Sequence, residues 1–149
     1  MIEIERKFLV EGDFRPFAVR KIAIVQGYLC VNPGQATVRV RLKGDSAYLT
    51  IKGPGNENGF SRMEFEYEIP LEDGKELLKL SKQLIEKERF LIPVGNHTYE
   101  VDVFHGRHEG LVIAELELNS ESESFEKPDW LGEEVTGDIR YYNAYLASH

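Results

Sequence analysis

Apolar and polar residues alternate with a period of two over most of the chain, the spacing of strands whose successive side chains point to opposite faces. From Ile2 to Val10, Ile2 and Ile4 alternate with Glu3, Glu5 and Lys7; from Thr37 to Leu42, Val38, Val40 and Leu42 alternate with Arg39 and Arg41. Tyr48 to Lys52 sets Leu49 and Ile51 against Tyr48, Thr50 and Lys52, and Arg62 to Glu68 sets Met63, Phe65 and Tyr67 against charged neighbours. Later, Lys87 and Arg89 share a face near Phe90 and Ile92. Glu100 and Asp102 alternate with Tyr99, Val101 and Val103, and Glu115 and Glu117 with Ala114, Leu116 and Leu118. With the β-rich stretch Lys21 to Cys30, the pattern predicts about eight strands.

Turn chemistry separates most of these runs, at Asn32-Pro33-Gly34, Gly44-Asp45, the glycine-rich loop from Gly53 to Gly59, Gly95-Asn96 and His108-Glu109-Gly110. Short connections favour antiparallel pairing. Between Leu71 and Ile85 the period changes: Leu77, Leu78, Leu84 and Ile85 fall at helical spacing, with Lys75, Lys79 and Lys82 on the other side, which predicts a surface helix. The tail from Glu121 to His149 is expected to be mainly helical, anchored by Trp130 and Leu131. Asp138 is expected to cap a final helix that packs Tyr141, Tyr142 and Tyr145 against the sheet.

The chain has 149 residues and 42% hydrophobic content, enough for one domain over residues 1–149 with a buried core. It has no apolar run near the ~20 residues that span a bilayer and opens directly on a strand pattern, so a cytoplasmic protein without membrane association is expected. Cys30 is the single cysteine; it excludes an internal disulfide or a thiolate cluster and reads as a small buried hydrophobe in Tyr28-Leu29-Cys30-Val31. A net charge of -8 argues against nucleic-acid binding, which needs a basic surface.

The polar positions of the strands carry the chemistry. A solvated sheet face usually mixes neutral and charged side chains. Here the positions are mostly ionised and sorted by sign: Glu3, Glu5 and then Lys7; Arg39 and Arg41; Lys52; Glu64, Glu66 and Glu68; Lys87 and Arg89; Glu100 and Asp102; Glu115 and Glu117. Like carboxylates two apart repel one another unless divalent cations lie among them. All-oxygen donors without a cysteine cluster or helical histidine pair select a hard ion, Mg²⁺ or Mn²⁺, over zinc. The basic rows supply what a polyphosphate needs, because arginine grips phosphate oxygens bidentately and lysine acts as a movable point charge. The residues alone leave two architectures open: an open sheet with one wet face, or a barrel that turns the charged faces inward around a ligand and its apolar faces outward beneath the helical segments.

The opening Glu-Ile-Glu-Arg-Lys of residues 3–7 resembles the EXEXK signature of the CYTH superfamily, the triphosphate tunnel metalloenzymes. Further segments are similar to the family in the family's order: QGYL at 26–29, VRVRL at 38–42, TIKG at 50–53, SRMEFEYEIP at 61–70, EKERF at 86–90, EVDVF at 100–104, AELEL at 114–118 and GEEVTGDIRYYN at 132–143. The resemblance implies an α+β fold: an eight-stranded antiparallel β-barrel, or tunnel, with a charged interior, flanked by a few helices. It implies that Lys7, Arg39, Arg41, Lys52, Lys87 and Arg89 grip phosphates, joined by Arg62 as a phosphate contact or counter-ion. It draws metal ligands from Glu3, Glu5, Glu64, Glu66, Asp102, Glu115 and Glu117, with Glu68 and Glu100 as outer supports. Lys7, Glu5, Lys52 and Lys87 are the expected catalytic residues.

The expected activity is divalent-metal-dependent hydrolysis of a small triphosphate, inorganic triphosphate first. Cyclisation of ATP, thiamine or nucleoside triphosphate hydrolysis, and non-catalytic polyphosphate or nucleotide binding are the alternatives. The Gly53–Gly59 loop lacks the Lys-Ser/Thr pair of a P-loop and reads as a hairpin turn. His97, His105, His108 and His149 read as solvent-exposed, without a catalytic role. Oligomeric state has no signature in the residues.

Overall fold

The computed structural model describes residues 2–31, 35–55, 61–81 and 84–148 and closes the strands into a barrel. Strands β1 (Ile2–Val10), β2 (Arg20–Cys30), β3 (Thr37–Lys43), β4 (Ser46–Lys52) and β5 (Ser61–Ile69) precede helix α1 (Leu71–Leu78). Strands β6 (Leu84–Val94), β7 (His97–Phe104), β8 (Val112–Leu118) and the short β9 (Leu131–Glu134) follow, and the chain ends in helix α2 (Asn143–Ser148). All neighbours are antiparallel in the order β5-β4-β3-β2-β6-β7-β8-β1, and β1 returns to β5 through Ile2↔Met63, Glu3↔Arg62 and Ile4↔Ser61. The open-sheet alternative is thereby excluded. β9 extends the remaining edge of β1.

Glycine sets two of the hairpins. Gly44 (φ +59°) and Gly95 (φ +61°) open the two-residue loops between the pairs Lys43↔Ser46 and Val94↔His97, where a positive φ strains any residue with a Cβ. The turn readings at 32–34 and 56–59, and the side chains of Lys82 and His149, lie outside the described residues.

Because directly paired residues share a face, the register places Glu5 with Glu117, Lys7 with Glu115, Arg89 with Asp102 and Lys52 with Glu64 on the inside. The main apolar core therefore lies outside the barrel wall. Phe8, Ile92, Tyr99, Val101, Ala114 and Leu116 project outward there and are sealed by Phe14, Phe125 and Trp130. Helix α1 covers the β3–β4 hairpin so closely that a Cβ at Gly74 would stand 2.5 Å from that of Ala47. The expected helical cover is incomplete, since Met63, Phe65 and Tyr67 on the outer face of β5 are exposed together with Ile2.

Three further expectations are corrected. The helix predicted to Ile85 ends at Leu78, and Leu84 and Ile85 begin β6, because pairing of Ile85 with Gln26 and burial of its side chain against Phe104 and Ile113 outweigh a helical spacing that fits them equally well. The tail is mostly extended. Its backbone completes the edge of β1, with the Val135 amide donating to the Lys7 carbonyl and the Lys7 amide to Thr136 Oγ1, and only a 3-10 turn at Ile139–Tyr141 and α2 are helical. Asp138 caps that turn through the Arg140 amide. Cys30 is exposed, because a register shift between Tyr28 and Cys30 interrupts the alternation of β2.

Instead of lying on the outer wall, α2 closes one end of the barrel. Leu146 and Ala147 pack on Ile85, Phe104 and Ile113, which share the inward parity of Lys87, Asp102 and Glu115. Arg107 and His108 donate to the carbonyls of Leu146 and Ala147 at the end of the helix. His97 is bonded to Glu123 and His105 to Glu88, so these histidines are half-buried and not freely solvated. Among the described residues no helix is long and apolar enough to cross a membrane.

Candidate active site

The barrel encloses a cavity of about 200 Å³ lined almost wholly by ionisable side chains. Strand order explains their segregation: β8, β1 and β5 are consecutive and carry Glu117, Glu3, Glu5 and Glu64, while β3, β2 and β6 are consecutive on the opposite side and carry Arg39, Arg41 and Arg89. An acidic wall faces a basic one.

On the acidic wall Glu5 stands directly across from Glu117, a like-charge pair that costs stability in a sheet. Burial, then Glu115, pushes the Glu5 carboxyl above the usual range in spite of Lys7 and Lys52. Burial, then Glu3 and Glu64, does the same to Glu117. Both carboxylates lack sufficient compensating positive charge. The Lys52 ammonium already takes one point between acids, 2.8 Å from Glu3 and 3.4 Å from Glu64. Among the described residues no three acids or histidines converge into a ready-made cage. An oxygen-only set of mutually repelling carboxylates nonetheless fits a hard divalent ion, which is commonly held by a few carboxylates plus water and ligand phosphates.

Lys7 sits at the floor of this wall, 2.8 Å from Glu115 and 3.3 Å from Glu5. Burial is the strongest single influence on its ammonium and lowers the pKa, but the summed pull of Glu115 and Glu5 holds it above the ordinary lysine value. Glu115 is correspondingly held well below the usual carboxylate range, since Lys7, Arg89 and Lys87 together overcome its burial.

On the basic wall Arg39 and Arg41, unlike Arg89, are under-compensated in the opposite sense. Arg41 is pushed down to about 10 by burial and by Arg39 and Arg89, and reaches Glu66 only at 3.5 Å. Arg39 touches Thr50 at 3.4 Å, and the Nε atoms of both arginines are buried without a partner among the described residues. An anion placed between them removes this repulsion.

Lys87 and Asp102 do not border the cavity. Asp102 is 1% exposed and uses one oxygen for Arg89 Nε at 2.8 Å and the other for Arg89 Nη2 at 2.9 Å and Lys87 Nζ at 2.7 Å. Burial outweighs that ion pair for Lys87, whose pKa falls to about 8. The folded protein thus sheds this proton before the unfolded chain, with its ordinary value of 10.5, does so. Stability from this group therefore rises between about pH 8 and 10.5, while positive charge behind the cavity wall, beside the carboxylate that also holds Arg89, is lost. The expected result is a fall in kcat/KM as pH rises through about 8, abolished in Lys87→Arg, measured as pH–rate profiles of both proteins.

A model of the CYTH domain family matches residues 1–144. The chain belongs to the CYTH domain family. This CYTH protein is 46% identical over 149 residues to an inorganic triphosphatase of Acetivibrio thermocellus, a match spanning 99% of this chain and 94% of that one. It is 37% identical over 152 residues to an inorganic triphosphatase of Nitrosomonas europaea, over 99% and 97% of the two chains. A crystal structure of an inorganic triphosphatase superposes on the CYTH barrel with a TM-score of 0.68 at 32% identity, covering 99% of this chain and 95% of the other. Membership of the family implies a divalent metal.

The CYTH barrel brings Glu3, Glu5, Lys7, Arg39, Arg41, Lys52, Arg62, Glu64, Glu66, Arg89, Glu115 and Glu117 to one cavity, along with Glu100, and leaves Lys87, Asp102 and Glu68 off its lining. Thr37, Lys43 and Thr50 also line it and share the parity of Arg39, Arg41 and Lys52, a signal the sequence contains. Tyr142 and Asn143 line it as well, with the Tyr142 ring 5.6 Å from Lys7 Nζ and 5.4 Å from the Arg62 guanidinium. The family-like segment at 132–143 ends on these two, but strand parity gives them no direction, because only the return of the tail brings them to the barrel mouth.

Proposed function

We propose that this protein hydrolyses inorganic triphosphate to pyrophosphate and phosphate with Mg²⁺ or Mn²⁺. The observation that carries the reading is the cavity's division into an acidic wall, on which the Glu5 and Glu117 carboxyls are pushed up by burial and by neighbouring acids, and a facing basic wall, on which the Nε atoms of Arg39 and Arg41 are buried without a partner among the described residues. Activity of the two related triphosphatases supports it. A cavity of about 200 Å³ is smaller than the roughly 300 Å³ at which pockets for drug-sized ligands begin, which favours inorganic triphosphate over a nucleotide.

Arg39, Arg41, Arg89, Lys52, Arg62 and Lys7 bind phosphate oxygens and hold the chain of three phosphates along the tunnel. Glu3, Glu5, Glu64 and Glu117 hold the metal. When bound, a divalent ion supplies charge neutralisation at phosphate oxygens and lowers the pKa of water it carries. Glu5, 3.3 Å from Lys7 within the site, is the carboxylate assigned to accept the proton of the attacking water, through the oxygen that the metal leaves free. That water attacks a terminal phosphorus, the bridging P–O bond breaks, and the basic wall stabilises the charge passing to pyrophosphate. Glu66, Glu100, Glu115 and Asp102 act as charge partners that aim Arg41, Arg89, Lys7 and Lys87, an assignment that moves Asp102, Glu115 and Glu66 away from direct metal contact. Phosphate release measured in parallel on inorganic triphosphate, ATP and thiamine triphosphate, with cyclic AMP assayed in the ATP reaction, is expected to show preferred turnover of inorganic triphosphate. Preferred turnover of either organic substrate, or cyclic AMP formation, would overturn the substrate assignment.

A further inference from the structure

Strand β2 lies between the two basic strands and across the barrel from β1, yet it contributes no charge to the interior. Its Gly27 faces outward, where a Cβ would meet Ser81 and Leu84, so the neighbouring Gln26 points inward. Gln26 is 0% exposed, and neither its Nε2 nor its Oε1 has a hydrogen-bond partner among the described residues. It is register partner to Arg41 on one side and Ile85 on the other. The Nε donors of Arg41 and Arg39 on the adjacent strand are orphaned too. A buried amide with both ends unmet destabilises a fold, and an apolar side chain of the same volume would serve the packing better.

We propose that Gln26 is a substrate-positioning residue for the triphosphate site. Gln26 lies behind the cavity lining and acts through Arg41: when phosphate oxygens draw in the outer NH groups of Arg41, the Gln26 carbonyl oxygen accepts the Arg41 Nε–H and fixes the guanidinium plane. The amide suits this position because it supports the guanidinium without adding negative charge to the basic wall, as a glutamate would. The inference rests on the triphosphatase reading given above.

Gln26→Met keeps the volume and removes both hydrogen-bonding ends. The expected result is a melting temperature equal to or above that of wild type, KM for triphosphate raised about tenfold, the effect of one charge-assisted hydrogen bond, and kcat little changed. Gln26→Glu is expected to raise KM further, because its carboxylate pairs with the neighbouring Arg41 and offsets the charge that grips the anion. A second readout without turnover is the rise in melting temperature caused by inorganic triphosphate in EDTA, which should shrink in both variants. Wild-type KM and an undiminished triphosphate shift in Gln26→Met would overturn the assignment of Gln26 alone. Absence of any triphosphate shift or turnover in the wild type would overturn the functional reading and this inference with it.

Discussion

Lys7→Met is expected to abolish hydrolysis and, taken alone, to destabilise the barrel; adding Glu115→Gln restores most of the stability and none of the activity. Lys7 is 4% exposed and is the nearest cation to Glu115, at 2.8 Å. Removing it strands a buried carboxylate, which costs about 3–5 kcal/mol. Neutralising Glu115 removes that penalty, whereas the phosphate-binding ammonium stays absent and kcat/KM stays down by at least about 10² to 10³. Urea melts and phosphate release on both single variants and the pair check this. Full activity in the pair would show that Lys7 serves the fold only.

Asp102→Ala should lose roughly 3–5 kcal/mol, because Lys87 and Arg89 are then left as two buried like charges. The two cations sit on one inward face of β6, and Asp102 is the carboxylate both of them share. An anion entering the cavity can take over part of that duty through Arg89, which lines it. Inorganic triphosphate is therefore expected to raise the melting temperature of Asp102→Ala by more than it raises that of wild type. An equal shift in both would mean that Arg89 does not face the ligand, and a fully stable variant would contradict the charge-partner role.

Most of the barrel was legible because its interior and exterior differ in charge at every second residue. Glu3, Glu5 and Lys7 on β1 and Arg39 and Arg41 on β3 follow from parity alone, and closure of the ring then brings their walls face to face. Where parity competes with another period, local pattern misleads: Leu84 and Ile85 fit a helix as well as a strand, and only pairing with Gln26 and Gly27 decides between them. The tail is less legible still. Trp130 and Leu131 read as the anchor of a helix, but Trp130 packs over the outer core from a non-helical segment and Leu131 begins β9. Tyr142 and Asn143 reach the cavity through that same path. Gln26 went unmarked because charge sorting cannot register a neutral side chain, and its inward aim is plain only once Gly27 is seen against Ser81.

The central claim is that a wall of crowded carboxylates facing a wall of guanidinium groups forms a metal-dependent triphosphate hydrolysis site. Phosphate release from inorganic triphosphate, followed with Mg²⁺, with Mn²⁺ and with EDTA, tests it most directly. The account predicts turnover with a divalent ion and none in EDTA. Release at the same rate in EDTA, or no release with either metal from a folded protein, would contradict it.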